Sequence, residues 1–347
     1  MLQKNNLLKL SILIPVFNEI RYLETLTKKL KESFKTENVE YIFIDDGSTD
    51  GSKEWLKSYV DKLPKENNKL ISFTNNEGKG KALHAGLKIC KGDYILFQDS
   101  DLELDTDDSY AMYKIIKNDT NINCVFGSRF LSGKLKRNRN FLNQVVVKIN
   151  SWIFNILFFQ SISDLHCGLK IISKKVKNSI VLKIVDFGFE IDIATQIVKN
   201  NFDIFEYGIS YFARTVDEGK KITWVDGLKS YFYLFKTRFL DNDISTQLSI
   251  LFSVIYMIYV GSHFGMGSGK ILMIVFTAIT GLFIGLHKKI GISSIIYLFC
   301  YFGSLFSKGN GKIYTFLLSF LIGIYLSKKI STIVKQKTNN KFINFFV

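Results

Sequence analysis

The chain has 347 residues, 47% of them hydrophobic, and a formal charge of +15. That length exceeds one ordinary domain, and the charge asks for an anionic partner. The sequence has no zinc-finger spacing, no RNP-like motif and no Arg-rich arm, which argues against nucleic acid; Lys clusters beside long apolar blocks suit an anionic membrane surface instead.

The opening MLQKNNLLKLSILIPVFNE holds one short apolar run that stops at Pro15. It is too short for a signal peptide, so the front of the protein is expected in the cytosol. From there strand and helix signals alternate: KLSILIPV as strand, 20–34 as helix, EYIFIDD as strand, 51–61 as helix, KLISFT as strand, 79–90 as helix and DYILFQD as strand. Such βαβ alternation predicts a Rossmann-like, mostly parallel α/β sheet with helices on both faces. The stretch 141–160, FLNQVVVKINSWIFNILFFQ, is apolar but broken by Asn and Lys, so it reads either as an interfacial helix or as a core helix. GLKSYFYLFKTRFL (227–240) has the same interfacial character.

From Ile244 onward apolar segments dominate, at about 244–262, 270–287, 290–307 and 312–327. Each approaches the roughly 17–25 residues that cross a bilayer as a helix, and the last two are short enough to form a re-entrant hairpin. Lys288, Lys289 and the tail lysines fall on one side of a four-span arrangement, which puts both termini in the cytosol. The expected organisation is a cytosolic catalytic domain (1–225), an amphipathic segment (226–243), an all-α transmembrane domain (244–330) and a basic tail (331–347) of a cytoplasmic-membrane protein. The four cysteines show no CxxC spacing and read as reduced, buried thiols.

In an open α/β sheet, ligands gather beyond the carboxyl ends of the strands. The residues there are PVFNE, DDGSTDGS and DSDLE. Asp99, Asp101 and Glu103 alternate, so in an extended chain they face one way, and packed like charges need water or a cation. DDGSTDGS by itself fits a turn and helix cap. NEGKGKALHAGL by itself fits a loop entering a helix, and it lacks P-loop spacing.

Taken in order, PVFNE, IDDGSTDGS, NEGKGKALHAGL, GDYILFQDSDLEL and FGSRF resemble the GT-A glycosyltransferases of family 2. Within them the chain is most similar to the polyprenyl-phosphate hexosyltransferases, over about residues 9–240. The resemblance implies a nucleotide-diphosphate sugar as donor and Mg²⁺ or Mn²⁺ as cofactor. Asp101 and Glu103 would hold the metal, with Asp99 near the metal or the ribose. Pro15, Phe17, Glu19, Ile44 and Asp46 would hold base and ribose, with Lys81, His84 and Ser100 also on the donor side. Arg129 would approach the sugar or diphosphate. Glu103 departs from the family's usual Gln, and Phe17 from its usual Tyr.

A polyprenyl-phosphate acceptor is already an oxyanion at neutral pH, so it needs cations more than a base. The candidates are Arg137, Arg139, Arg214 and one of Lys220 or Lys221. With Asp101 and Arg129, the residues Arg214, Lys220 and Lys221 make up the expected catalytic set. Two isolated histidines are more often packed than catalytic, and Asp164 suits either the acceptor side or loop support. No Q-x-x-R-W is present, which argues against a processive polymerase. The expectation is inverting hexosyl transfer to a polyprenyl phosphate at the cytosolic membrane face. Its rivals are another membrane lipid or lipid-linked glycan as acceptor, and an inactive membrane protein that handles lipid-linked sugars. The sequence leaves oligomeric state open, a homo-oligomer included.

Overall fold

The computed structural model describes residues 9–131, 133–134, 136–137, 141–186, 188–214, 224–242, 244–264 and 269–285. The chain divides into two compact units, Met1–Leu234 and Phe235–Val347.

The first unit opens with β1 (Lys9–Val16), α1 (Ile20–Ser33), β2 (Asn38–Asp45), α2 (Ser52–Asp61), β3 (Asn68–Ser72), α3 (Lys79–Ile89) and β4 (Tyr94–Phe97). It continues with α4 (Thr106–Asn118), β5 (Cys124–Ser128), β6 (Lys136–Arg137), α5 (Phe141–Phe158), β7 (Lys170–Ser173), α6 (Lys174–Ser179) and α7 (Phe189–Lys199). Strands β8 (Phe205–Gly208) and β9 (Tyr211–Phe212) and helix α8 (Trp224–Phe235) follow. Seven strands form one sheet in the order β3-β2-β1-β4-β7-β5-β8, and β6 pairs with β9 separately. The sheet is mostly parallel as expected; β7 alone runs antiparallel to both its neighbours.

Strand β1 is apolar on both faces because helices cover both. Leu10, Ile12 and Ile14 pack in one core with α1, α2 and α4, while Leu13 packs in a second core with α3, α5 and α7. From β1 the chain winds one way to β2 and β3, then crosses back to place β4 on the other side. That reversal opens a crevice beyond the carboxyl ends of β1 and β4. It falls where PVFNE and DSDLE lie. Cys90, Cys124 and Cys167 are free and buried, as reduced core thiols should be.

Helix α5 bears out the core-helix reading on one side and leaves apolar residues exposed on the other. Phe154 and Phe158 are buried in the core, whereas Trp152 and Phe159 are 65% and 78% exposed on the other side.

In the second unit, a π-helical turn (Lys236–Leu240) precedes α9 (Ile244–Phe264) and α10 (Gly269–Gly285). These two helices coincide with the first two apolar segments and pack on each other. Gly281 permits the close approach, since a Cβ there would meet the Ser253 carbonyl at 2.8 Å. Leu251, Ile255, Ile271, Val275, Phe276 and Ile279 are exposed. Among the described residues no helix is long and apolar enough to cross a membrane. The transmembrane domain expected over 244–330 is therefore not borne out there, and the segments 290–307 and 312–327 lie outside the described residues.

Candidate active site

The end of β1 and the end of β4 meet through main chain and side chain. Ser100 Oγ donates to the Pro15 carbonyl at 2.9 Å, which ties the DSDLE loop to PVFNE. Ser100 thus serves as a strut between the two loops. At the end of β2, Ile44 is fully buried in the core beneath α3, and Asp46 accepts the Glu77 and Gly78 N–H groups at 2.8 and 3.0 Å. Asp46 thereby fixes the loop that enters α3. Burial, offset in part by the Gly78 N–H, and the neighbouring Asp45 push its carboxyl up to about 6. Phe17 is half-buried in the loop after β1.

Arg214 organises the acidic cluster. Its guanidinium bonds Glu19 Oε2 at 2.9 Å and Asp101 Oδ2 at 2.9 Å, and its Nε lies 3.7 Å from Glu103. Glu103 in turn accepts the Tyr211 hydroxyl at 3.0 Å and the Arg214 backbone N–H at 2.8 Å. Glu103 therefore pins β9 and the segment after it to the end of the DSDLE loop. A Gln could accept one of these bonds; a carboxylate accepts both and attracts the guanidinium as well. This gives the departure from Gln a structural reason that the sequence did not suggest. Burial pushes the Asp101 carboxyl up to about 7, and the charge of Asp99 adds to this; the guanidinium pulls it back and Glu103 raises it again. Even with Arg214 in place, the cluster carries more negative charge than it readily holds.

Arg129, delivered by β5, makes a two-pronged pair with Asp164: Nε to Oδ2 at 2.7 Å and Nη2 to Oδ1 at 2.8 Å. Asp164 is wholly buried, and Glu206 caps the same loop through the Ser163 and Asp164 N–H groups. Asp164 is thus the residue that orients Arg129, whose guanidinium also lies 5.2 Å from the Tyr211 ring centre. Arg137 reaches the same neighbourhood because β6 pairs with β9, with Arg137 opposite Phe212. Arg139, Lys220 and Lys221 lie outside the described residues.

Two donor-side candidates have partners other than the acids at the end of β4. The Lys81 ammonium pairs with Glu77, one helical turn away, and is half exposed. It is Lys79 that reaches Asp99, at 2.6 Å, and Glu190, at 3.1 Å. Sequence reasoning missed Lys79 because GKGK offers two lysines and only the phase of α3 decides between them. The His84 ring packs on Phe189 with Nε2 buried and unpartnered, and burial lowers its pKa. None of its described interactions involves the strand-end acids, which is the packed reading. His166 is half-buried and pairs with Asn150 at 3.0 Å, and desolvation pushes it down to about 4. Among the described residues, no group of three or more His, Cys, Asp or Glu is arranged to hold a metal as it stands.

The family model for glycosyl transferase family 2 matches residues 11–178. Over 226 residues the chain is 30% identical to a dolichyl-phosphate beta-glucosyltransferase from Dictyostelium discoideum, covering 61% of this chain and 68% of that protein. The chain belongs to glycosyltransferase family 2. A dolichol-phosphate mannosyltransferase from Pyrococcus furiosus is 26% identical over 216 residues, or 61% of this family 2 chain and 59% of that protein. These relatives place the enzyme among the hexosyltransferases of the polyprenyl-phosphate branch. The GT-A fold is shared with glucosyl-3-phosphoglycerate synthase from Mycobacterium tuberculosis. Its complex with Mn²⁺, UDP and glucosyl-3-phosphoglycerate superposes with a TM-score of 0.52 at 17% identity, over 67% of this chain and 80% of that one. Its complex with Mg²⁺ and UDP does so with a TM-score of 0.51, over 67% and 79%. At that identity the likeness speaks for the fold.

Proposed function

We propose that this enzyme transfers a hexose from a nucleotide-diphosphate sugar to a polyprenyl phosphate at the cytosolic face of a membrane, with inversion and with a divalent metal. The observation that carries the reading is the meeting of two charge layouts. Acids gather at the ends of β1 and β4, and arginines gather around β9: Arg129 over the Tyr211 ring, Arg137 opposite Phe212 and Arg214 just beyond. A sugar diphosphate and a phosphate acceptor together ask for both.

The residues fit a hard divalent ion. Asp101 offers carboxylate oxygens where burial first, and the charge of Asp99 next, push its carboxyl up to about 7, and Mg²⁺ and Mn²⁺ prefer oxygen ligands. Asp101 would hold the ion, with Asp99 and Glu103 beside it. When bound, such an ion offsets the charge that builds on the departing diphosphate. Support comes from the structural neighbours, which hold Mn²⁺ or Mg²⁺ with UDP.

The chain's own groups do the remaining work. Glu19 and Asp46 shape the donor side from behind: Glu19 holds Arg214, and Asp46 holds the Glu77–Gly78 loop. Arg129, held at the end of β5 by Asp164, presents a fixed positive charge toward Tyr211. Glu190 is a poor candidate for a general base. Burial raises its pKa, but Lys170 and Lys79 more than offset that and hold the carboxyl below its usual range. A base for a hydroxyl acceptor works best with a pKa near neutrality, whereas a phosphate oxyanion needs none. The second reading, a hydroxyl-bearing membrane lipid as acceptor, would need Asp101, whose carboxyl burial pushes up to about 7, as its base in place of its role on the ion.

Supplying radiolabelled nucleotide sugars with polyprenyl phosphate or with diacylglycerol separates the two. Label is expected to move to the phosphate acceptor; label on diacylglycerol alone would replace that reading with the second.

Membrane association is part of the proposal. The exposed Ile149, Trp152 and Ile156 share one side of α5 at helical spacing, the exposed Phe159 follows directly after its end, and in the second unit α9 and α10 carry exposed apolar residues of their own. Helices of this kind sit with aromatic side chains at the headgroup boundary. Replacing Trp152 and Phe159 with Ser should lower co-flotation with vesicles containing anionic lipid several-fold, with little change in folding. Undiminished flotation would remove α5 from the membrane contact.

A further inference from the structure

Behind the donor side of the site runs a row of four alternating charges. Asp99 pairs with Lys79, Lys79 with Glu190, and Glu190 with the fully buried Lys170. Lys170 also donates to the Cys167 carbonyl, and its ammonium lies 4.8 Å from the Phe126 ring centre.

Two features show that this row is specified. The first is local. Lys79 opens α3, and a cation is unfavourable at a helix N-terminus, where the aligned peptide dipoles already place positive charge. The second is steric. A Cβ on Gly168 would meet Asp99 Oδ2 at 2.1 Å and Lys79 Nζ at 2.9 Å, so the pair closes against a residue that has no side chain. A partly exposed ion pair such as Asp99–Lys79 is a weak source of stability, because water and desolvation offset most of its attraction. Two departures from local preference at one ion pair point to a role in the site.

We propose that Lys79 is a positioning residue of the donor site, the permanent counter-cation of Asp99. It takes that carboxylate out of the metal-ligand set and leaves Asp101 as the carboxylate at which a divalent ion exchanges with Arg214. The two cations differ in how they are held. Lys79 is backed by Glu190 and Lys170 from behind, so it stays. Arg214 lies beyond β9 and rests on the acids themselves, so an incoming ion competes with it directly. This inference rests on the metal-dependent reading above.

The test is Mn²⁺ binding to the full chain without nucleotide, followed by the electron paramagnetic resonance of the free ion. Lys79→Met keeps Glu190 paired through Lys170 and leaves Asp99, which is partly exposed, to water or metal. Mn²⁺ should then bind about tenfold more tightly than in wild type. That is the effect of losing a unit positive charge a few ångströms from the ion at a partly wet site. Sugar transfer should fall, because Asp99 has joined the ion. Gly168→Ala removes no charge and forces the pair apart, so it should tighten Mn²⁺ in the same direction. It carries the test if Lys79→Met does not fold. Equal or weaker Mn²⁺ binding in the folded variant overturns the proposal. A wild-type enzyme that transfers nothing to polyprenyl phosphate would sink the acceptor reading and leave the Mn²⁺ ranking to decide this one.

Discussion

Asp101→Asn is expected to lower hexose transfer by about 10²- to 10³-fold or more, with the fold intact. The size follows from what a charged group aimed at a developing anion contributes in a partly dry site, where one such interaction is worth several kcal/mol. Asn keeps the shape of the side chain and can still accept from the Glu103 N–H, which Asp101 Oδ1 now does at 3.1 Å. Arg214 retains Glu19 and Glu103. The loop should therefore hold its conformation. Stability is expected to stay level or rise, because burial and then the neighbouring Asp99 push the replaced carboxyl up to about 7. A group strained in this way acts against folding at neutral pH, so its neutral isostere relieves the strain. Initial rates with saturating donor and a thermal melt, both with and without Mn²⁺, check the pair of outcomes. Full activity in the variant would remove Asp101 from the metal site. A variant that unfolds would make the residue structural.

The strands that build the crevice could be read from the sequence because their signals are local. KLSILIPV and YILF are apolar runs that end in polar clusters, and each becomes a buried strand followed directly by its polar cluster. The antiparallel β7 carried no such signal. KIIS is four residues long, and its direction depends on slotting between β4 and β5, which lie far apart in the chain. The site residues divide the same way. PVFNE and DSDLE were legible as strand ends, but the duty of each carboxylate was not. Glu103 takes its partners from Tyr211 and Arg214, more than a hundred residues onward, so no spacing rule could show that it pins β9. Lys79 was hidden behind Lys81 for want of the helix phase. Helix α5 mixes apolar and amide residues because Asn150 and Asn155 serve the core side while Trp152 and Phe159 face outward. A hydropathy reading averages over those two faces.

The largest effect on stability is expected at Arg129. Arg129→Met leaves Asp164, wholly buried, without its counter-ion, and breaking such a pair from one side costs about 3–5 kcal/mol. Removing both charges with Arg129→Met and Asp164→Asn should recover a large part of that loss, since the cost lies in the orphaned charge rather than in the missing attraction. The pH dependence separates this from simple loss of packing. In the wild type, burial raises the Asp164 pKa, but the Arg129 guanidinium and the bonds it donates more than offset this, and the net shift is downward. A depressed carboxylate contributes stability that is present above its unfolded pKa of about 4 and is lost as the pH falls through the lower folded value. Without the guanidinium the upward effect of burial is opposed only by the residue-129 backbone N–H and by His166, and the sign is expected to reverse: protonating Asp164 now relieves the folded state. The stability gap between wild type and Arg129→Met should therefore narrow as the pH falls from 7 toward 4. Urea unfolding of the two full chains at several pH values measures it. A gap that stays constant over that range would mean that Asp164 is not the source of the loss, and that Arg129 acts through its contact with the Tyr211 ring alone.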